Sequence, residues 1–129
     1  MNYTSLIFIG IGAALGAWAR WGLSIALNPL FPTVPAGTLA ANWVGGYLMG
    51  LSLGAFTLWQ GISPEIKLLI TTGFLGGLTT FSTFSAEITT LILRQQFGWA
   101  VAAIGLHVGG SLTLTWLGLK TVAALKGGM

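Results

Sequence analysis

Residues 76–87, GGLTTFSTFSAE, join two adjacent glycines to five hydroxyl side chains. They lie within a predicted membrane helix at residues 66–92. Polar side chains are energetically unfavourable in lipid, so those found within a span often have a function. Adjacent glycine and β-branched threonine both weaken helical order. Backbone carbonyls freed at membrane depth must bond to protein, water or an ion. The stretch therefore predicts a helix broken near its centre, and a kink satisfied by the Ser and Thr side chains is the open alternative.

The whole chain is too apolar for an ordinary soluble domain. Of its 129 residues, 54% are hydrophobic and 5% are charged, whereas soluble proteins carry about 25% charged residues. Because a membrane helix needs about 20 apolar residues, this length accommodates four spans and little else. We expect an all-α membrane protein in which residues 1–129 form a single four-helix transmembrane domain within the lipid bilayer.

Charged residues and prolines separate the four spans. The longest interval without charge, 21–64, is divided by a proline cluster at Pro29, Pro32 and Pro35. The predicted helices are residues 4–27, 36–59, 66–92 and 97–124. Small residues four apart let membrane helices approach closely, and they predict tight contacts in three or all four spans. Those residues are Gly12/Gly16, Gly46/Gly50/Gly54, Gly73/Gly77 and Gly105/Gly109.

The distribution of basic residues gives a poor orientation signal. Four spans place both termini on one side of the membrane, together with three lysines, while the opposite side receives Arg20 and Arg94. A bias of three to two is weak under the positive-inside rule. Insertion in both orientations would make an antiparallel homodimer available. The alternative is that misplaced boundaries hide a real bias.

Composition excludes several function classes. The chain has no Cys, so disulfides and thiolate metal sites are absent, and its five basic residues are too scattered to bind nucleic acid. With one His and no Asp, no catalytic residue is expected. A proton-coupled exporter would need a central acid in the first span, yet residues 4–19 contain none. A helper subunit would explain the glycine-rich faces but not the hydroxyl-rich stretch.

Two phenylalanines within that stretch could contact an anion. Phe81 and Phe84 are three residues apart, which places them on one helix face. Aromatic rings carry positive edges, so rings presented edge-on can stabilise an anion without a fixed cation. Phe pairs at this spacing usually only pack, but Ser82, Thr83 and Ser85 supply a polar lining that is expensive in lipid unless it faces a pathway.

Two further polar lines lie in the second and fourth predicted spans. Asn42 follows Thr38 by one helical turn, and His107 and Ser111 are likewise one turn apart. The amide of Asn42 can donate two hydrogen bonds to an anion or tie two helices together. His107 can line a pore with Ser111 or bond to a neighbouring carbonyl.

Four segments of the chain resemble the Fluc (CrcB) fluoride channels of microbial membranes. They are GAALGAWAR at 12–20, GTLAANWVGG at 37–46, TGFLGGLTTFSTFSAE at 72–87, and residues 109–118. The third segment is the most specific. The resemblance implies a passive fluoride-selective channel that exports cytoplasmic fluoride through a multi-pass protein of the bacterial inner membrane. It further implies a dual-topology antiparallel homodimer with two pores, each lined by both subunits, and no protein substrate.

The resemblance also assigns roles to individual residues. The ring edges of Phe81 and Phe84 approach fluoride, and Asn42 donates to it. Ser82 and Thr83 match the polar track beside them, and Thr38 matches the threonine one turn before the asparagine in the anion pathway. The backbone carbonyls of Gly76 and Thr79 hold a structural sodium ion at the centre of the dimer, and Arg20 lies near a vestibule. The chain departs from some relatives in the fourth span, where Ala103 and His107 replace a Tyr and a Ser, while Ser111 is retained.

Overall fold

The computed structural model describes residues 2–127, and every regular element within them is helical. The helices are α1 (Tyr3–Leu27), α2 (Ala36–Leu58), α3 (residues 64–78), α4 (Ser82–Leu93) and α5 (Phe97–Leu125). Two of them contain wider π-helical turns, at Leu69–Leu75 in α3 and Gly105–Gly109 in α5. A short 3₁₀ turn, Asn28–Leu30, leads into the connection between α1 and α2.

Within residues 2–127, three segments are long and apolar enough to cross a membrane: Tyr3–Leu30, Pro64–Leu93 and Phe97–Leu125. They correspond to the predicted spans at 4–27, 66–92 and 97–124, so the expectation of an all-α membrane protein is confirmed. The helix α2 has 23 residues and is not among these three segments. That α2 forms a fourth span stays a prediction.

Side-chain caps fix where these helices begin. Asn2 Oδ1 accepts from the Ser5 N–H at 2.7 Å, which satisfies a free donor in the first turn of α1. Asn28 does the same for α2 from nine residues away, because its Oδ1 accepts from the Gly37 and Thr38 N–H groups at 2.7 and 3.1 Å. The proline-rich connection therefore returns the chain directly against α1.

Glycines bring α1 and α3 into backbone contact. A Cβ atom at Gly12 would collide with Leu69 O, and one at Gly16 would collide with Phe74 O. From the other side, a Cβ at Gly77 would meet Ala13 O. The predicted small-residue contacts on these two helices are therefore present.

A second glycine contact joins α2 to α5. A Cβ at Gly50 would collide with Thr115 O, and one at Gly118 with Tyr47 O. By contrast, a Cβ at Gly105 or Gly109 would meet no atom within 4 Å. Both glycines are exposed and make no close contact within this protomer, so the expected contacts are present at the glycines named for the first three predicted helices and absent at this pair.

The chain leaves the helical path between α3 and α4. Thr79 adopts an extended backbone, with φ −85° and ψ 158°, and helical geometry resumes at Ser82. That this interruption lies at the centre of a membrane span stays a prediction. It sits beside a buried cluster formed by Ala41, Leu75 and Leu78, which fixes the end of α3 against α2.

Candidate functional site

A groove of about 410 Å³ lies where α2, the interruption after α3, and α5 meet; we call it the central groove. It brings together most of the residues that the sequence predicted for an anion site. None of its lining residues is Lys, Arg, Asp or Glu. The lining comprises Asn42, Gly45, Gly46, Met49, Thr71, Leu75, Gly76, Thr79, Thr80, Phe81, Phe84, His107, Val108, Ser111, Leu112 and Thr115.

Asn42 pairs with the backbone of Thr80 in both directions. The Thr80 N–H donates to Asn42 Oδ1 at 2.7 Å, and Asn42 Nδ2 donates to the Thr80 carbonyl at 3.0 Å. The amide therefore replaces the helical hydrogen bonds that the interrupted backbone has lost. Asn42 Nδ2 also lies 3.0 Å from His107 Nδ1, so this one side chain links α2 to the interruption and to α5.

The aromatic rings of the central groove contact one another edge to face. Phe81 and Phe84 have centroids 5.4 Å apart and planes at 73°, a T-shaped pair. Phe84 also lies 4.5 Å from the imidazole of His107, with the two planes tilted by 38°. Phe84 is 6% exposed, whereas Phe81 is 74% exposed. The pair thus spans from the buried wall of the groove to its open side.

The carbonyls of Gly76 and Thr79 each lose their helical donor to a side chain. The Thr80 N–H would bond to Gly76 O in a continuous helix, but it donates to Asn42 instead. The Thr83 N–H would bond to Thr79 O, but it donates to Thr80 Oγ1 at 3.0 Å. These are the two carbonyls that the resemblance assigned to a cation, and both are left available for another partner.

Arg20 contacts the same interruption from α1. Its Nε donates to the Gly77 carbonyl at 3.0 Å, which satisfies another acceptor near the end of α3. Arg20 is half-buried and does not line the central groove. Its predicted position near a vestibule therefore stays a prediction, while its bond to Gly77 gives it a structural contact that the sequence did not indicate.

A smaller polar cavity of about 220 Å³ lies near the start of α2. Thr38, which is almost fully buried, donates from Oγ1 to Glu87 Oε2 at 2.7 Å. Glu87 lines this cavity together with Arg94 and residues of the proline-rich connection. Thr38 therefore lies one turn from Asn42 as predicted, but it bonds to a carboxylate outside the central groove.

The remaining predicted residues differ in their placement. Ser111 lines the central groove beside His107. Ser82 and Thr83 are exposed and lie outside the groove of their own protomer, although the Ser82 hydroxyl is 3.4 Å from Thr80 Oγ1. Whether any of these residues contacts an anion stays a prediction.

Two residues of the site were missed by the sequence reasoning. Thr80 binds Asn42 through its backbone and caps the start of α4 through its hydroxyl. Trp43 donates from Nε1 to Leu106 O at 2.8 Å, inside the π-helical turn that carries His107. The signal for Thr80 was its place in the hydroxyl-rich stretch, whereas no local pattern distinguished Trp43 from the other tryptophans.

Comparison with known proteins identifies relatives along almost the whole chain. The family described as CrcB-like protein, Camphor Resistance (CrcB), matches residues 7–119. Three relatives are each named fluoride-specific ion channel FluC. The protein from Pseudomonas putida (strain W619) is 54% identical over 95% of this chain and 97% of its own length. That from Nitrosospira multiformis is 56% identical, covering 95% of both chains. That from Pseudomonas paraeruginosa is 56% identical over 97% of this chain and 98% of its own.

These relatives confirm the family resemblance drawn from the sequence motifs. Their name is that of a channel, and a channel conducts ions without catalysing a reaction. The expectation that the chain is not an enzyme is therefore confirmed. Together with the three apolar spanning helices, the relatives identify a multi-pass membrane protein of an ion-channel family.

Proposed function

The chain belongs to the CrcB-like family, and from this premise we propose that it is a passive, fluoride-selective channel that exports cytoplasmic fluoride across the bacterial inner membrane. The relatives named fluoride-specific ion channels support the choice of ion. The single observation that carries the proposal is the central groove, where aromatic edges, an amide, an imidazole and hydroxyls converge without a fixed charge.

A neutral lining suits a small and strongly hydrated anion. Fluoride must exchange many water contacts for protein contacts at once, yet it must not be held so tightly that conduction stops. Phe81 and Phe84 offer ring edges, and Ser111 offers a hydroxyl donor. A fixed Lys or Arg in the same place would bind fluoride and slow its release. The narrow space between these groups would also exclude larger chloride.

The pore is proposed to form between two antiparallel copies of the chain, each with four spans and opposite orientation. Phe81 is 74% exposed in the single protomer, which is unfavourable for a pore residue unless a second copy covers the open side of the groove. Two copies related by a twofold axis give two equivalent grooves, and therefore two pores, each lined by both subunits. Ser82 and Thr83 would then complete the polar track of the partner.

A sodium ion is proposed at the interruption between α3 and α4, held by the backbone carbonyls of Gly76 and Thr79. These oxygens fit a hard monovalent cation because their helical donors are taken by Asn42 and Thr80. Four such oxygens from a dimer would surround one ion. A sodium ion held by these carbonyls would supply positive potential beside both pores and would link the two interruptions.

The polar groups outside the central groove are proposed to form the approaches to the pores. Glu87 lines the smaller polar cavity with Arg94 and accepts a hydrogen bond from the buried Thr38, and Arg20 lies on the α1 side of the interruption. Ions reaching such vestibules remain partly hydrated, so charged side chains are tolerated there. The cavity's position beside the proline-rich connection supports this placement.

Efflux from liposomes tests the proposed function directly. We expect purified full-length protein to release trapped fluoride rapidly, as measured with a fluoride-selective electrode, without a proton gradient. Chloride release from matched liposomes, read with its own electrode, is the selectivity control. Fluoride that stays inside would refute the channel, and release that requires an imposed proton gradient would indicate an exporter instead.

A further inference from the structure

We propose that the nitrogen donor offered to fluoride in this chain is His107 Nε2–H, and that Asn42 acts behind it by fixing the imidazole tautomer. This inference rests on the proposed function and refines it, since the resemblance gave the donor role to Asn42. It follows from counting the hydrogens on one amide and locating the one donor that has no partner.

The orientation of the Asn42 amide is determined by Thr80. A backbone N–H can only donate and a backbone carbonyl can only accept. Since the Thr80 N–H faces Oδ1 at 2.7 Å and the Thr80 carbonyl faces Nδ2 at 3.0 Å, exchanging the two amide ends would oppose like with like at both contacts. Nδ2 is therefore the atom that lies 3.0 Å from His107.

Both hydrogens on Asn42 Nδ2 are consequently engaged. One is donated to the Thr80 carbonyl and the other to His107 Nδ1. An Nδ2 group carries no lone pair available to accept, so Nδ1 of the imidazole must be the acceptor and carries no proton. The neutral ring therefore carries its proton on Nε2, and Asn42 has no free hydrogen left for an anion.

His107 Nε2 is the donor that the fold leaves unused. Among the side-chain nitrogen and oxygen atoms buried within residues 2–127, it is the one without a hydrogen-bond partner. His107 is 3% exposed, so water does not readily satisfy the Nε2–H either. An unpaired buried donor destabilises a protein, and its retention in a groove-lining residue is explained if a transported anion supplies the missing acceptor.

The surrounding helices hold the imidazole in this state. The π-helical turn Gly105–Gly109 carries His107, and the Trp43 indole bonds to Leu106 O within that turn at 2.8 Å. Phe84 packs on the ring at 4.5 Å. π-helical turns of this kind often occur at functional sites.

Solid-state NMR of the full-length protein in liposomes, with ¹⁵N-labelled histidine, tests the assignment. The chain contains a single His, so its imidazole signals are unambiguous. We expect Nδ1 to be unprotonated and Nε2 protonated. Added fluoride should shift the Nε2 signal and produce a ¹⁵N–¹⁹F coupling through the hydrogen bond, whereas chloride should produce neither change. A proton on Nδ1, or an Nε2 signal that fluoride leaves unchanged, overturns the proposal.

Two substitutions provide a separate transport readout. His107→Leu removes both ring nitrogens and should lower fluoride efflux about tenfold or more, because a hydrogen bond to an ion is lost. His107→Gln, whose amide N–H reaches about as far as Nε2, should restore part of the rate that His107→Leu loses. Unchanged efflux in His107→Leu overturns the donor role while leaving the channel intact. Absence of efflux from the unsubstituted protein would instead remove the proposed function itself.

Discussion

Phe81 and Phe84 have the same side chain but different surroundings. Their T-shaped contact, with centroids 5.4 Å apart, directs the edge of one ring toward the face of the other. Phe84 is buried against His107, while Phe81 projects from the protomer. Loss of either ring should therefore impair an anion site, but only the loss of Phe84 should also weaken the fold.

Replacing these rings by aliphatic side chains separates the two effects. Phe81→Ile should lower fluoride efflux about tenfold or more, because it removes a ring edge that we propose contacts the ion, and should leave the melting temperature nearly unchanged. Phe84→Ile should lower efflux similarly and also destabilise the protein by roughly 1–3 kcal/mol. Liposome efflux and thermal unfolding of the same preparations measure both quantities.

Phe97→Ile is the matched control, since Phe97 is 58% exposed and lies outside the central groove at the start of α5. Both its efflux and its melting temperature should stay close to those of the unsubstituted protein. Full efflux in Phe81→Ile would contradict a role for that ring in conduction.

The sequence indicated which residues the central groove brings together better than it indicated the bonds between them. Asn42, Phe81 and His107 could be selected because their residue types are unusual or repeated within apolar spans. The bonds of Asn42 to Thr80 and His107 cross 38 and 65 positions of the chain, and no local pattern specifies such contacts. The loss of helical donors at Gly76 and Thr79 was equally hidden, because it depends on which side chain reaches each N–H group.

At the scale of elements, the helices pack through close backbone approach rather than through large apolar side chains. Gly12 and Gly16 allow α3 to approach α1 closely. Gly50 and Gly118 allow α2 and α5 to approach each other in the same way. In lipid, apolar side chains gain little from leaving their surroundings, so van der Waals contact at small residues drives helix association. The small-residue spacing therefore predicted two contacts correctly, but it could not reveal that Gly105 and Gly109 make no close contact within the protomer.

Gly16→Ala should destabilise the protein by roughly 1–3 kcal/mol, because the added methyl group must displace the backbone of α3 at Phe74. Gly10→Ala on the same helix is the control, since a Cβ there meets no atom within 4 Å. It should be neutral or stabilising by up to about 1 kcal/mol through helix propensity. Thermal unfolding in detergent measures both variants, and equal destabilisation would contradict this account of packing.

At the scale of the whole molecule, most of the apolar surface is unburied within one protomer. Only 11%, 22% and 17% of the most apolar windows of the three spanning segments are buried. Lipid covers much of the remainder, and the proposed second copy covers the open groove. The sequence predicted membrane insertion from composition alone, whereas orientation depends on so few charges that it needs a direct measurement.

Cysteine labelling in intact cells provides that measurement, because the chain contains no native Cys. Gln60→Cys and Gln96→Cys place single exposed thiols in two connections that four spans would put on opposite sides of the membrane. With dual insertion, a membrane-impermeant maleimide should label about half of each variant from outside. Labelling of one variant in full and the other not at all would establish a single orientation. Lysed cells, in which both thiols are accessible, serve as the control.

The adjacent residues Asn42 and Trp43 of α2 each bond to a different irregular segment. Asn42 bonds to the backbone of the interruption at Thr80, and Trp43 bonds to the π-helical turn at Leu106. One residue inserted ahead of them would rotate both side chains by about 100° around the helix axis, and both irregular segments would lose their anchor together. Changes in chain length during evolution should therefore be tolerated in the connections at 59–63 and 94–96, and rejected along the first half of α2.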